Sequence, residues 1–127
     1  MKAIIAVNNL GYIGLNGEIP WYSREDFRHF KDLTKDSTLL VGFNTYPSVK
    51  AIDGKNGRTL FEDMKILDCY KADWCIGGKK TYEKYCYLFD ELHISYINDN
   101  TIGDTTFPLF KNLKKDCKIF RYYFDSE

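Results

Sequence analysis

The sequence predicts an α/β fold: a single-domain, three-layer sandwich with a mostly parallel central sheet. Short apolar runs typical of buried strands, such as residues 3–7 and 38–42, alternate with segments of helical periodicity, such as residues 24–34. This alternation is typical of strand–helix–strand units, which place helices over a parallel sheet. The chain has 127 residues and no segment that resembles a linker, so residues 1–127 are expected to form one domain.

The other elements follow from the same patterns. Glycines and a proline predict a loop over residues 8–21, and residues 53–58 are also expected to be loop. Further helices are predicted at residues 44–49, where Pro47 should bend or break the helix, and at 61–71 and 79–88. Further strands are predicted at residues 74–77, 92–97 and 117–124. The last strand follows a loop rather than a helix, so it is expected to insert antiparallel.

Composition excludes several classes of function. Eighteen basic and 18 acidic residues balance, so the chain lacks the positive charge expected of a nucleic-acid-binding protein. The four cysteines have no C-x-x-C spacing and the two histidines lie at no ligand spacing from them, which argues against a zinc site. The apolar opening is too short for a signal peptide, and no stretch is long enough to span a membrane. We therefore expect a cytoplasmic protein with free thiols.

The sharpest signal lies on the first predicted helix. Its apolar arc, drawn at about 100° per residue, is formed by Phe27, Phe30 and Leu33. Asp26 lies inside this arc, one turn before Phe30. A carboxyl group that faces a core has a raised pKa, which suits a proton donor near neutral pH. The structural alternative is a capping box that begins at Ser23, in which the acid only satisfies a backbone N–H.

Two more features lie where ligands of parallel sheets bind, at the carboxyl ends of strands. Gly77 and Gly78 lie between a predicted strand and a helix, a junction that can present backbone N–H groups to a phosphate. A tight turn explains them equally well. Thr45, at the start of another helix, could cap that helix or hold a pyrophosphate oxygen.

Several motifs occur along the chain in a characteristic order. They are IIAV at 4–7, YIG at 12–14, NG at 16–17, IPW at 19–21, DF at 26–27, FK at 30–31, GFNTY at 42–46, IGGKKTY at 76–82 and GDTTFP at 103–108. In order and spacing these motifs resemble the dihydrofolate reductase family, over about residues 1–50 and 73–110.

The resemblance implies reduction of 7,8-dihydrofolate to tetrahydrofolate by hydride transfer from NADPH, or from NADH. It implies that Asp26 supports protonation of the pteridine and that Trp21, with Ser95, orders a water beside that carboxylate. The other substrate-binding residues that it implies are Ala6, Val7, Ile19, Phe30 and Arg58. The cofactor-binding residues that it implies are Ile13, Gly14, Thr45, Gly77, Gly78, Lys80 and Tyr82. Residues 8–21 would be the mobile loop that closes over the nicotinamide.

The chain also departs from the family pattern. Phe43 stands where the family usually has a basic residue that grips the cofactor's phosphates. The stretch from Arg58 to Gly77 and the C-terminal region are both short, so the adenosine half looks trimmed. These departures predict weaker cofactor binding and a relaxed choice between NADPH and NADH. A second subunit could cover the trimmed edge, so the protein is expected to be a monomer or a homodimer.

Two rival interpretations remain. The first is a reductase of the same fold that acts on a pyrimidine in riboflavin synthesis; it would not be expected to carry Pro20 and Trp21 followed by Asp26. The second is a non-catalytic descendant that acts as a binding or structural protein. Phe43 and the trimmed half favour this descendant, whereas the retained Asp26 and Trp21 argue against it.

Overall fold

A parallel sheet forms the centre of the molecule. The computed structural model describes residues 1–63 and 69–127. The strands of this six-stranded sheet are β1 (Lys2–Asn8), β3 (Thr38–Val41), β4 (Thr59–Glu62), β5 (Trp74–Cys75), β6 (Glu91–Asn98) and β8 (Lys118–Asp125). Their spatial order is β4-β3-β5-β1-β6-β8, and each neighbouring pair is parallel. A second, antiparallel sheet pairs β2 (Tyr12–Gly14) with β7 (Thr105–Thr106).

The helices are short. They are α1 (Arg24–Thr34), α2 (Tyr46–Val49) and α3 (Lys79–Tyr85), with single 3-10 turns at Lys50–Ile52, Cys69–Lys71 and Cys86–Leu88. Among residues 1–63 and 69–127, no helix is long and apolar enough to span a membrane.

The hydrophobic core has two parts, because side chains of β1 point alternately to the two faces of the sheet. On one face, Ile4 packs with Leu39 and Trp74, and Phe30 of α1 covers this cluster. On the other face, the odd-numbered residues of β1 pack with residues of α3 and with Phe89. Leu39 and Phe89 are fully buried, and burial of such side chains stabilises a fold by about 1.5–3 kcal/mol each. Helices on both faces of the sheet make the predicted three layers.

Several predictions from the sequence are confirmed. The α/β class with a mostly parallel sheet is correct, and α1 has the predicted bounds. Strands β1, β3, β5, β6 and β8 match predicted strands within one or two residues. The helix predicted at 79–88 is α3 followed by a 3-10 turn.

The predicted antiparallel direction of the C-terminal strand is wrong: β8 pairs with β6 in parallel from Lys118 beside Glu91 to Asp125 beside Asn98. The segment between the two strands brings the chain back to the start of β6, where Lys118 N–H donates to Asp90 O at 3.0 Å. A strand that starts at the same end as its neighbour must run parallel to it.

Three further predictions need correction. The helix predicted at 61–71 is contradicted at its start, where Phe61 and Glu62 belong to β4, and residues 64–68 lie outside the described residues. Pro47 neither bends nor breaks a helix, because it lies in the first turn of α2, where no intrahelical N–H is needed. The loop predicted at 8–21 contains β2, which pairs with β7.

Candidate active site

The first helix places Asp26 against the central sheet. Ser23 is the N-cap of α1, and its Oγ accepts a hydrogen bond from the Asp26 N–H at 3.2 Å. This half of the predicted capping box is confirmed, and it leaves the Asp26 carboxyl group available for other contacts. That group is half-buried and faces β6, where Ser95 is its hydrogen-bonding neighbour.

The surroundings of Asp26 change its affinity for a proton. Burial raises the pKa of Asp26, while a hydrogen bond with Ser95 and the charge of His29 partly oppose this rise. The Ser95 hydroxyl is buried, yet its Oγ has no partner at ordinary hydrogen-bond geometry among residues 1–63 and 69–127. The contact with Asp26 is therefore long or poorly aligned, and the net effect is that of burial. Asp26 thus holds a proton closer to neutral pH than an exposed carboxyl group does.

A tyrosine links α3 to the first strand beside Asp26. The hydroxyl of Tyr82 donates to Ile4 O at 2.5 Å, and the Tyr82 side chain is buried. Burial raises the pKa of Tyr82 well above its usual range, and the negative charge of Asp26 adds to this rise. Tyr82 therefore stays neutral, and its hydroxyl continues to donate a hydrogen bond to the Ile4 carbonyl.

The carboxyl ends of β3 and β5 approach each other closely. Gly42 N–H donates to Gly77 O at 2.6 Å, and a Cβ at Gly42 would lie 2.3 Å from Thr81 Oγ1. A Cβ at Gly78 would lie 2.8 Å from Thr45 Oγ1. The peptide between Gly77 and Gly78 is cis. Thr45 precedes α2 without using its side chain as a cap, so its hydroxyl stays beside the glycine pair.

A buried arginine lies near the far end of α1. The guanidinium of Arg58 donates to Thr34 Oγ1 at 3.1 Å, to Lys55 O at 3.1 Å and to Lys31 O at 2.7 Å. A guanidinium has five N–H groups, so two remain, one on each terminal nitrogen. The side chain lines a groove of about 360 Å³ together with Arg28, Lys31, Asp32, Lys35, Asp36 and Asn56.

The loop that follows β1 is fastened to the loop that follows β6. The side chain of Asn8 accepts from the N–H groups of Leu10 and Tyr12, and its amide donates to Thr101 O at 2.7 Å. Asp104 accepts from Asn16 N–H at 3.0 Å, and its own N–H donates to Gly14 O at 3.0 Å. Together with the β2–β7 pair, these bonds hold both loops over the carboxyl edge of the sheet.

Comparison with known proteins identifies the relatives of this chain. A family model described as Dihydrofolate reductase matches residues 1–60. The chain is 29% identical to the Dihydrofolate reductase type 9 of Escherichia coli, over 90% of this chain and 80% of that protein. It is 29% identical to the Dihydrofolate reductase of Buchnera aphidicola subsp. Schizaphis graminum, over 95% of this chain and 86% of that protein. Over most of its length the chain is therefore similar in sequence to dihydrofolate reductases.

A solved structure has the same fold as this chain. It is a dihydrofolate reductase from Enterococcus faecalis complexed with NADP(H) and RAB-propyl, and it superposes with a TM-score of 0.72. The match covers 87% of this chain and 77% of the other at 24% sequence identity. The dihydrofolate-reductase-like architecture predicted from the sequence is therefore confirmed.

The structure brings most of the predicted site residues to one edge of the sheet. Asp26, Ser95 and Tyr82 interact directly or through charge, and Ala6 lies on the same face of β1 as Ile4. The glycine pair and Thr45 adjoin them at the ends of β5 and β3. Ile13 and Gly14 are in β2, which pairs with β7.

Other predicted site residues are placed less centrally. Val7 belongs to the core cluster on the opposite face of the sheet from α1, so its side chain does not share the face of Asp26. Ile19 and Lys80 are exposed, and Trp21 is half-buried in the segment before α1. Phe30 packs on the core under α1. Their roles in binding stay predictions.

Sequence reasoning missed His29, an imidazole near Asp26, and its aromatic neighbour Tyr122. His29, one turn after Asp26 on α1, acts on the Asp26 carboxyl group and contacts Tyr122 of β8. The spacing of three residues on a helix could have placed His29 beside Asp26. The contribution of Tyr122 depends on the register between β6 and β8, which no sequence motif reports.

Proposed function

We propose that this chain reduces 7,8-dihydrofolate to tetrahydrofolate with hydride from NADPH. The observation that carries the proposal is a half-buried carboxyl group, Asp26, with a raised pKa at the carboxyl edge of a dihydrofolate-reductase fold. The relatives with the same architecture are named dihydrofolate reductases, and one of them is complexed with NADP(H). Reduction of the substrate's C6=N5 double bond needs a proton as well as a hydride, and we assign the support of that protonation to Asp26.

The substrate would be held at both ends of α1. At the N-terminal end, Asp26 would bind the amino group and ring nitrogen of the pteridine, with Ala6 against the ring and Phe30 as a wall. Trp21 and Ser95 would order the water that bridges to Asp26. At the other end, the two unused N–H groups of Arg58 suit the carboxylate of the folate tail, because such pairs form two parallel bonds.

The residues at the ends of β3 and β5 fit a dinucleotide phosphate. Gly77 is buried against Tyr82 and Gly78 is half-buried, and Thr45 keeps a hydroxyl beside Gly78 that caps no helix. Lys80 is exposed nearby and would supply a cation. When bound, the cofactor supplies the hydride. Ile13, Gly14 and Tyr82 would border its nicotinamide ring, and the loop of residues 8–21 would exclude water from it.

The decisive experiment follows the absorbance of the reduced nicotinamide with dihydrofolate present. We expect turnover by the wild-type chain, and a fall of about a hundredfold or more in Asp26→Asn, the scale of general-acid contributions. Glu25→Gln is the matched control, because Glu25 is the neighbouring acid on α1 and is exposed. Its activity should stay within about twofold of wild type, since surface substitutions of this kind have small effects.

The same assay separates the proposal from its rival. A wild-type chain that oxidises neither NADPH nor NADH in the presence of dihydrofolate would favour the non-catalytic descendant. A thermal-shift measurement with methotrexate is a second test, because a ligand that binds the folded state raises the melting temperature of the protein. A folded chain that shows neither turnover nor a thermal shift would refute the reductase.

Cofactor choice and assembly are the finer parts of the proposal. Phe43 is exposed at the end of β3 where the family usually has a cation, so we infer weak binding of the cofactor's phosphates and a relaxed preference between NADPH and NADH. A titration that shows strong preference for NADPH would contradict this. A cytoplasmic location, the absence of a nucleic-acid partner, the single domain and the monomeric or homodimeric state stay predictions.

A further inference from the structure

One edge of the central sheet is long and regular. In the part of the chain that the structure describes, β8 is the last strand on its side of the sheet and pairs only with β6. It has eight residues, whereas β4 at the opposite edge has four. The pairing of β8 with β6 continues from Lys118 to Asp125 without a register shift, so no β-bulge protects this edge. A strand of this kind presents a row of N–H and C=O groups to which a further strand can bind.

The backbone of β8 directs alternate residues outward. The Lys118 N–H donates to Asp90 O at 3.0 Å, so the backbone of Lys118 faces β6. Since the N–H and C=O groups of one strand residue point to the same side and those of the next residue to the other, the even-numbered residues face β6. The outward-facing groups, which we call the open edge, belong to Ile119, Arg121, Tyr123 and Asp125.

Apolar side chains are exposed along the same strand. Tyr123 is 73% exposed, Ile119 is 43% exposed and Phe120 is 38% exposed. Aromatic and β-branched residues of this kind favour strand pairing. An edge strand that is long, straight and apolar therefore tends to pair with another chain.

Two charges on β8 lack an opposite charge within the chain. Arg121 and Asp125 are exposed, and neither forms an ion pair with another described residue. Arg121 Nε donates to the hydroxyl of Tyr96 at 3.3 Å, and Asp125 Oδ1 accepts from Asn98 at 3.4 Å. The two charged residues are four positions apart, about 13 Å along a strand, so they cannot pair with each other.

A second copy of β8, placed antiparallel across a two-fold axis, can satisfy both charges. The axis must be perpendicular to the sheet if the sheet is to continue through both copies, so odd-numbered residues face odd-numbered residues. In the registers that overlap the centre of the strand, Arg121 faces its own copy, Tyr123 or Asp125. The first register brings like charges together, which is destabilising, whereas the last pairs opposite charges at two symmetric positions. In that register Tyr123 lies beside its own copy and Tyr122 lies opposite Phe124, and cross-strand aromatic pairs add stability.

We propose that this chain forms a two-fold symmetric dimer, in which the open edges of two β8 strands pair antiparallel with Arg121 of each copy opposite Asp125 of the other. The occupant of the edge is a second copy rather than an unrelated peptide, because the strand itself supplies both members of the ion pair. A single strand pair is small beside the interfaces of about 1,200–2,000 Å² that hold stable complexes, so the dimer is reversible, with a dissociation constant in the micromolar range. The proposal does not rest on the proposed reductase function.

The test is sedimentation equilibrium from about 1 μM to about 1 mM protein, which brackets a micromolar dissociation constant. We expect the wild-type mass to rise from that of one chain to that of two. Arg121→Asp should raise the dissociation constant about tenfold or more, because like charges then face each other at both positions. Lys118→Asp is the matched control: it makes the same change of charge on the same strand outside the paired segment, and it should change the constant by less than about twofold.

A charge swap tests the register itself. The double variant Arg121→Asp/Asp125→Arg exchanges the members of each pair, so it should recover the wild-type dissociation constant to within about threefold. Melting curves of all variants establish that each is folded. A wild-type chain that stays a single chain at every concentration would overturn the proposal. So would a dimer that Arg121→Asp does not weaken, or one that the charge swap does not restore.

Amide hydrogen exchange of the wild-type chain keeps the proposal testable if a variant does not fold. At high protein concentration the N–H groups of Arg121 and Tyr123 should exchange about threefold more slowly, or slower still, than at low concentration, because they gain acceptors in the second copy. The N–H groups of Phe120 and Tyr122 face β6 and are the internal control, protected at both concentrations. Exchange at Arg121 and Tyr123 that does not depend on concentration would contradict pairing at this edge. Neither measurement uses substrate or cofactor, so failure here is distinct from failure of the reductase assay.

Discussion

Arg58 should be needed for stability as well as for binding. Its side chain is only 2% exposed, and it donates three hydrogen bonds that join the end of α1 to the loop before β4. Hydrogen bonds from a charged donor contribute about 1.5–3 kcal/mol each. In Arg58→Ala the Lys31 and Lys55 carbonyls can regain water, whereas the fully buried Thr34 hydroxyl loses its donor. We therefore expect a loss of about 3 kcal/mol in the free energy of unfolding, near the value of one to two such bonds.

The assay is urea unfolding followed by circular dichroism, with a melting curve beside it. For a domain of this size, about 3 kcal/mol corresponds to a fall of roughly 10 °C in melting temperature. Arg28→Ala is the control, because Arg28 lines the same groove but is exposed. Arg58→Lys should recover little of the stability lost in Arg58→Ala, since an ammonium group cannot reproduce the fork of N–H donors of a guanidinium. A loss below about 1 kcal/mol in Arg58→Ala would refute the reasoning, because it is the net value of a single ordinary hydrogen bond.

Three more predictions concern cofactor, loop and surface charge. Phe43→Arg should lower the KM for NADPH by roughly threefold to fivefold, since an exposed charged contact is worth up to about 1 kcal/mol, whereas Phe43→Leu should leave it unchanged; equal KM values in both variants would contradict this. Asp104→Asn should speed amide exchange at Asn16 about threefold or more, because the acceptor of its N–H loses its charge; unchanged protection would show that this bond does not hold the loop. A hydrogen bond from Lys114 lowers the pKa of Asp90 to about 2. The folded-state pKa is below the unfolded one, so this stabilisation is present above the ordinary carboxyl range and is lost as pH falls through about 2. Asp90→Asn should therefore lower the free energy of unfolding in urea by less than about 1 kcal/mol near neutral pH, since Asp90 is exposed. This loss should become smaller on acidification. A loss that does not change with pH would contradict the prediction.

Local signals explain which parts of the fold could be predicted. The bounds of α1 follow from its apolar arc and from the Ser23 cap, which act within a few residues. The direction of β8 depends instead on where the chain between β6 and β8 returns to the sheet, and no periodicity in residues 99–117 encodes that path. Strand β4 was missed because Phe61 and Glu62 also fit the start of a helical pattern.

The site residues also divide into those that local signals in the sequence predict and those that depend on tertiary packing. Asp26 could be singled out from its place on the helix and the glycine pair from its place after a strand, whereas the resemblance supplied Ser95 and Tyr82. The buried state of Arg58 could not be predicted, since an arginine that follows a glycine-containing loop is usually exposed. The helix spacing could place His29 near Asp26, but the contact of His29 with Tyr122 depends on the packing of β8 and so needs the three-dimensional arrangement.

Helix α1 also fixes the distance between the two ends of the proposed substrate site. Asp26 lies in its first turn, and the Lys31 carbonyl that accepts from Arg58 lies five residues later, a rise of about 7.5 Å. One residue inserted between them would add about 1.5 Å and rotate one contact away from the other by about 100°. In the proposed function, the length of the helix therefore selects substrates by the distance between their ring and their carboxylate. Molecules that match this distance reach both contacts, and shorter molecules do not, even though the helix makes no contact with the part of the molecule in between.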